Sequence, residues 1–133
     1  MYDNRGDVYR WIRQYDLAVQ DYNKAIEINS NESDYYNRGR AYQAAMQLEK
    51  AIQNYDKVIE LNPRYVHAYY FRGLAYYHIK NYEVAIKDYT KCIELDPKDK
   101  WNYRSRGKCY QQIGEEAKAQ ADFAKAKELG YKG

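Results

Sequence analysis

The stretch YYFRGLAYYHIKNYEVAIKDY (Tyr69–Tyr89) sets an arginine and a glycine in the middle of a run of tyrosines. Glycine weakens a helix, and arginine has no natural place on a buried face. Yet closely similar phrases stand at Tyr2–Tyr9 (YDNRGDVY), Tyr35–Tyr42 (YYNRGRAY) and Tyr103–Tyr110 (YRSRGKCY). A pattern written four times in 133 residues makes the repeat, rather than any one segment, the unit to be read.

The four glycines are Gly6, Gly39, Gly73 and Gly107, spaced 33, 34 and 34 residues apart. Each is preceded at four residues by Tyr2, Tyr35, Tyr69 or Tyr103, and followed at three by Tyr9, Tyr42, Tyr76 or Tyr110. Further along come an alanine (Ala18, Ala51, Ala85, Ala119), then a large aromatic (Tyr22, Tyr55, Tyr89, Phe123), then a small residue (Ala25, Val58, Cys92, Ala126). Pro63 and Pro97 close the second and third units, and Ser30 and Tyr131 stand at that place in the others.

This series resembles the tetratricopeptide repeat, whose pattern W-x2-L-G-x2-Y, A-x3-F, P recurs over about 34 residues. Tyrosine replaces the tryptophan and arginine the leucine in every unit, and the resemblance covers essentially the whole chain. It implies an all-α fold: a right-handed α-α superhelix, a solenoid of eight antiparallel helices. One domain is expected over 1–133, with repeats at about 1–31, 32–65, 66–99 and 100–133. Apolar residues at three- and four-residue spacing predict helices over 2–12, 15–28, 32–45, 48–61, 66–79, 82–95, 100–113 and 116–129. Short turns at Arg13–Gln14, Met46–Gln47, Lys80–Asn81 and Gly114–Glu115 would join the helices of each pair. The glycines then make sense at helix crossings, where two backbones approach and a partner's ring fills the space. The helix cost of a glycine, about 1 kcal/mol, is small against burying a tyrosine ring.

Composition sets outer limits. Lys+Arg is 22 and Asp+Glu 19, a net charge of +3 that is modest for a nucleic-acid binder, so nucleic acid is an unlikely partner. No stretch approaches the roughly 20 apolar residues of a membrane span, and no signal peptide is visible. Cys92 and Cys109 form no CxxC and no disulfide framework, and a reduced, cytoplasmic setting is expected.

The arginines need their own account. Arg5, Arg38, Arg72 and Arg106 precede the glycines, while Asp21, Asn54, Asp88 and Asp122 recur with the same period in the second helices. They are expected to pair as a ladder of charge-assisted hydrogen bonds, with the Asn54 rung weakest. The alternative is an arginine that snorkels to solvent over the aromatic layer.

Thirteen of the 18 tyrosines fall on framework positions. Of the rest, Tyr36, Tyr70 and Tyr77 lie on first helices, which line the concave face in the family the chain resembles. The resemblance thus implies a peptide-binding groove of Tyr36, Asn37, Arg40, His67, Tyr70, Phe71, Leu74, Tyr77, Trp101, Arg104 and Lys108. Asp3, Asn4, Asp7, Arg10 and Trp11 would line its start. Aromatic anchors beside fixed cations suit an extended peptide or a helix with an aromatic or aliphatic anchor and acidic residues. For Tyr70 and Phe71, packing against a neighbouring helix is the competing reading. Family members that clamp acidic chaperone tails use a Lys, Asn, Asn, Lys, Arg set. Here those slots hold Asp3, Asp7, Asn37, His67 and Phe71, or, one unit later, Tyr36, Arg40, Phe71, Trp101 and Ser105. Only Asn37 matches, and Asp3 and Asp7 would repel a carboxylate.

No catalytic constellation emerges, and no cofactor or metal site is expected. His67 and His78 are eleven residues apart, about 16 Å along a helix, too far to share a metal. Cys92 and Cys109 stand where other units carry Ala or Val and read as small core residues. The expectation is a non-enzymatic interaction module, a scaffold or adaptor. Self-association of solenoids through open ends is the second reading.

Overall fold

The computed structural model describes the backbone of residues 4–132 and the side chains of residues 11–132. Seven helices follow one another among the described residues: α1 (Asn4–Asn29), α2 (Glu32–Ala44), α3 (Leu48–Leu61), α4 (Val66–Ile79), α5 (Tyr82–Leu95), α6 (Lys100–Gln112) and α7 (Glu116–Glu128). The chain divides into two compact units, Met1–Pro63 and Arg64–Gly133. In the first, α2 packs against both α1 and α3. In the second, α4 pairs with α5 and α6 with α7, while α6 also packs on α5 and touches α4.

Three hairpins share one turn. Met46, Lys80 and Gly114 take left-handed backbone angles, φ 61°, 73° and 79°. The next residue then donates its N–H back to a helix carbonyl: Gln47 to Tyr42, Asn81 to Tyr76 and Glu115 to Tyr110, each at 2.9 Å. These bonds satisfy carbonyls that the helix end would otherwise leave open. The second helices end for another reason. Asn62 and Asp96 are driven to extended angles, φ −147° and −144°, by the prolines that follow them. Asn31 and Asp99 cap α2 and α6 with side-chain acceptors for Asp34 N–H (3.0 Å) and Trp101 N–H (2.9 Å).

The first hairpin departs from expectation. Helices over 2–12 and 15–28 are expected, but α1 runs unbroken through Arg13 and Gln14, and residues 2 and 3 lie outside the described residues. Arg13 stands where the other units turn left-handed, a conformation that costs a non-glycine residue about 1–2 kcal/mol. At Met46 and Lys80 that cost is offset by antiparallel packing; Arg13, of much the same helix propensity, continues the rod without it. Ala18, Tyr22 and Ala25 are accordingly only partly covered. Their counterparts Ala51, Tyr55 and Val58 are fully buried.

The glycines sit where the period places them. A Cβ on Gly39 would lie 2.8 Å from Tyr55 Cε1, on Gly73 3.1 Å from Tyr89 Cζ, and on Gly107 2.8 Å from Phe123 Cε1. In each hairpin the first helix rides directly on the ring of the second. The arginine ladder forms as well, within hairpins. Arg72 binds Asp88 through two bonds of 3.0 and 2.7 Å, and Arg106 binds Asp122 through two of 2.8 Å. Arg38 makes one bond of 2.7 Å to Asn54, the thinner rung expected for a neutral acceptor. The rung of Arg5 with Asp21 lies outside the described residues. The guanidinium groups also cover tyrosines, Arg38 over Tyr35 at 5.4 Å and Arg72 over Tyr69 at 5.7 Å. Ladder and aromatic cover thus coexist.

Candidate functional site

In the first unit, Tyr36, Asn37 and Arg40 stand on α2. The Tyr36 ring leans on Tyr55, with centroids 6.2 Å apart. The exposed Arg40 donates to the Tyr36 hydroxyl at 3.2 Å and lies 6.0 Å from its ring. Asn37 is exposed beside them. Trp11 is 49% exposed on α1 and makes an edge contact with Tyr15, centroids 5.0 Å apart. Asp3, Asn4, Asp7 and Arg10 lie outside the described side chains.

In the second unit, α4 carries His67, Tyr70, Phe71, Leu74 and Tyr77, and α6 carries Trp101, Arg104 and Lys108. Tyr70 is partly buried. It packs edge-on against the buried Tyr89 at 5.6 Å, yet keeps part of its ring in solvent beside Phe71 at 5.2 Å. Its hydroxyl lies 3.5 Å from Ser105 Oγ on α6. Tyr77 is bracketed by Tyr82 at 5.5 Å and by Lys108, whose ammonium stands 5.2 Å from the ring. Burial, then the neighbouring Tyr82, raises the Tyr77 phenol's pKa. Phe71 and Leu74 are half-buried, and His67 is exposed.

Tyr131 stands at the period position of Pro63 and Pro97, and the structure gives it partners. Gly130 turns with φ 109°. The ring that follows meets Trp101 at 5.4 Å and lies beneath the Arg104 guanidinium at 5.0 Å. Two of the expected groove residues are therefore held by the segment that follows α7.

Sequence reasoning also missed a cleft. It measures about 420 Å³ and opens between the start of α4 and the α5–α6 connection, lined by Val66, His67, Tyr70, Phe71, Asp96, Asp99, Trp101 and Asn102. Asn102 is 2% exposed, and its Nδ2 has no hydrogen-bond partner. The period gives little signal for it, since the position of Asn102 holds Asp34 and the fully buried Ala68 in the two preceding units.

Cys92 and Cys109 are free and fully buried. Desolvation pushes both thiols up to about 12, the opposite of what a nucleophile needs. Among the described residues no group of His, Cys, Asp and Glu could hold a metal ion, and no helix is long and apolar enough to cross a membrane.

Family models described as tetratricopeptide repeat match residues 4–32, 36–100 and 88–121. The solved structure "Crystal structure of MamA protein" is 30% identical, covering 93% of this chain and 68% of its own with a TM-score of 0.83. The chain belongs to the tetratricopeptide repeat family, whose members are generally protein-interaction modules; no catalytic family is indicated. "MamA 41-end from Desulfovibrio magneticus RS-1" is 22% identical, covering 95% of this chain and 73% of its own, TM-score 0.83. "First TPR of Spaghetti (RPAP3) bound to HSP90 peptide SRMEEVD" is 22% identical, covering 74% and 79%, TM-score 0.72. These last two show likeness of fold alone. Comparison with curated protein sequences finds no match.

Proposed function

We propose that the chain is a non-enzymatic scaffold or adaptor that binds a peptide or helical segment of a partner protein along its first helices. The four repeats act in this reading as one domain, a right-handed superhelix in a cytoplasmic setting. The contact residues are Tyr36, Asn37 and Arg40 in the first unit, and His67, Tyr70, Phe71, Leu74, Tyr77, Trp101, Arg104 and Lys108 in the second. The observation that carries the proposal is the aromatic row of α4, with Tyr70, Phe71 and Tyr77 half-exposed and the cation of Lys108 fixed against it. Rigid rings with an amphipathic rim anchor partners at little entropic cost, and a neighbouring cation orders an acidic residue beside the anchor.

The peptide-bound RPAP3 repeat supports this use of the fold, though not the same ligand. Its peptide SRMEEVD is acidic towards its end, and of the five slots that clamp acidic tails only Asn37 matches here. Peptides selected from a random display library on the wild-type chain provide the test. Tyr70→Ala, Tyr77→Ala and Arg104→Ala should each weaken the selected peptide about tenfold while the helical circular dichroism stays unchanged. Unchanged affinity in all three removes the assignment. Self-association is the second reading, favoured by the incompletely covered Ala18, Tyr22 and Ala25 of α1. Light scattering over a concentration series separates it from peptide binding.

A further inference from the structure

The cleft beside α4 has the wrong sign for the acidic ligand just described. Asp96 and Asp99 both line it, and neither has an ion-pair partner among the described residues. Asp99 is fixed by accepting the Trp101 N–H at 2.9 Å. The facing walls are Tyr70, Phe71 and Trp101. Trp101 already attracts a cation, the Lys100 ammonium at 5.8 Å. The inner end holds Asn102, 2% exposed with an unpartnered amide nitrogen. Leaving such a donor unmet is unfavourable, and a bound acceptor would relieve it.

We propose that this cleft is a subsite for an arginine side chain of the partner peptide. Its guanidinium would meet the Asp96 and Asp99 carboxylates, its stem would lie on the Phe71 and Trp101 rings, and Asn102 would turn its buried amide N–H towards a peptide carbonyl. Arginine fits better than lysine because a planar fork matches carboxylates and stacks on rings. A volume of about 420 Å³ leaves room for the side chain and its own backbone. The inference rests on the proposed peptide-binding reading and sharpens it. The partner segment carries an arginine at the α5–α6 end and acidic residues towards Arg104 and Lys108.

The test is an NMR titration of the full chain with three capped tripeptides, Ac-Ala-Xaa-Ala-amide, in which Xaa is arginine, citrulline or glutamate. The arginine peptide is expected to shift the Asn102 side-chain amide and the Trp101 indole saturably. Citrulline, of the same shape without the charge, should bind about fivefold more weakly. The double substitution Asp96→Asn and Asp99→Asn should produce the same loss, because asparagine preserves the Asp99 cap while removing the charge. Equal binding of arginine and citrulline overturns the subsite without reference to any variant. If glutamate alone shifts residues, and these lie at Arg104 and Lys108, the subsite falls while peptide binding stands. If no peptide shifts any residue of α4 or α6, the subsite falls, and the groove stands or falls by the selected peptides.

Discussion

Arg106 grips Asp122 with two hydrogen bonds, Nε to Oδ2 and Nη2 to Oδ1, both 2.8 Å. The side chains are only 19% and 7% exposed, so the fork closes largely out of water. Its bonds to Asp122 raise the guanidinium's pKa further and keep the charge permanent. The homologous Arg38 meets a neutral Asn54 through a single bond and sends its other arm to Asn23 at 2.8 Å.

Removing one partner of a sheltered pair leaves the other charge uncompensated. Arg106→Ala and Asp122→Ala should each cost about 2–3 kcal/mol in urea unfolding. Arg38→Ala should cost about 1 kcal/mol, since only neutral acceptors are lost. Asn54→Asp should stabilise by about 0.5–1 kcal/mol by completing the fork, despite losing the Asn54 bond to the Lys50 carbonyl. Equal losses at Arg38 and Arg106 would contradict this ranking.

The glycines separate by how freely the facing ring can move. Tyr55 is fully buried and its hydroxyl is tied to Gln43, so Gly39→Ala should destabilise by about 1–2 kcal/mol. Phe123 is half-exposed and can swing aside. At Gly107→Ala the helix gain of about 1 kcal/mol should therefore nearly cancel the contact. Thermal unfolding of the two variants side by side reads the difference.

Positive φ at a residue other than glycine is a removable strain. Lys80→Gly, at φ 73°, and Met46→Gly, at φ 61°, should each stabilise by about 0.5–1 kcal/mol. The same replacement at Arg13, inside a continuous helix, should instead lower stability and helical content. Denaturant midpoints and far-ultraviolet circular dichroism check both directions.

The buried thiols set an alkaline limit. Their folded pKa values stand at about 12, raised by desolvation from an ordinary 9.0. A raised value means the folded chain holds its proton longer than the unfolded one. The contribution is complete below about pH 9 and is lost as pH rises towards 12. Burial also raises the Tyr55 and Tyr89 phenols, which act in the same sense. Stability should therefore fall from pH 9 upward, and the double variant Cys92→Val and Cys109→Ala should fall less. Iodoacetamide at pH 8 should leave the native thiols unmodified and label them once the chain unfolds.

Much of this was legible because burial repeats with the helix pairs. The tyrosine, glycine and alanine positions report which faces meet, and α3, α4 and α5 begin and end where the period puts them. The turn at Arg13 was not legible. Met46 and Lys80 turn left-handed without being glycine, so residue type does not say whether a given hairpin closes. The arginine ladder was readable because both partners recur in phase. The cleft was not, since the α5–α6 connection carries Asp96 and Asp99 where the α3–α4 connection carries Asn62 and Tyr65, and the shared period says nothing of that difference. Tyr131 shows the same limit, because what its ring touches depends on the turn at Gly130.

The Arg72 and Arg106 forks each close inside the two helices that encode them, and the spare arms of Arg38 and Arg106 reach the preceding helix through uncharged groups, Asn23 and Thr90. A copied segment of gene would thus bring its own fastener with it. It would ask of the older neighbour only a polar side chain, and that position holds Asn23, Asp56 and Thr90 in turn. Lengthening such a protein by duplication needs no matched charge change elsewhere, which is how an ion pair can persist through copies whose outward residues have all diverged.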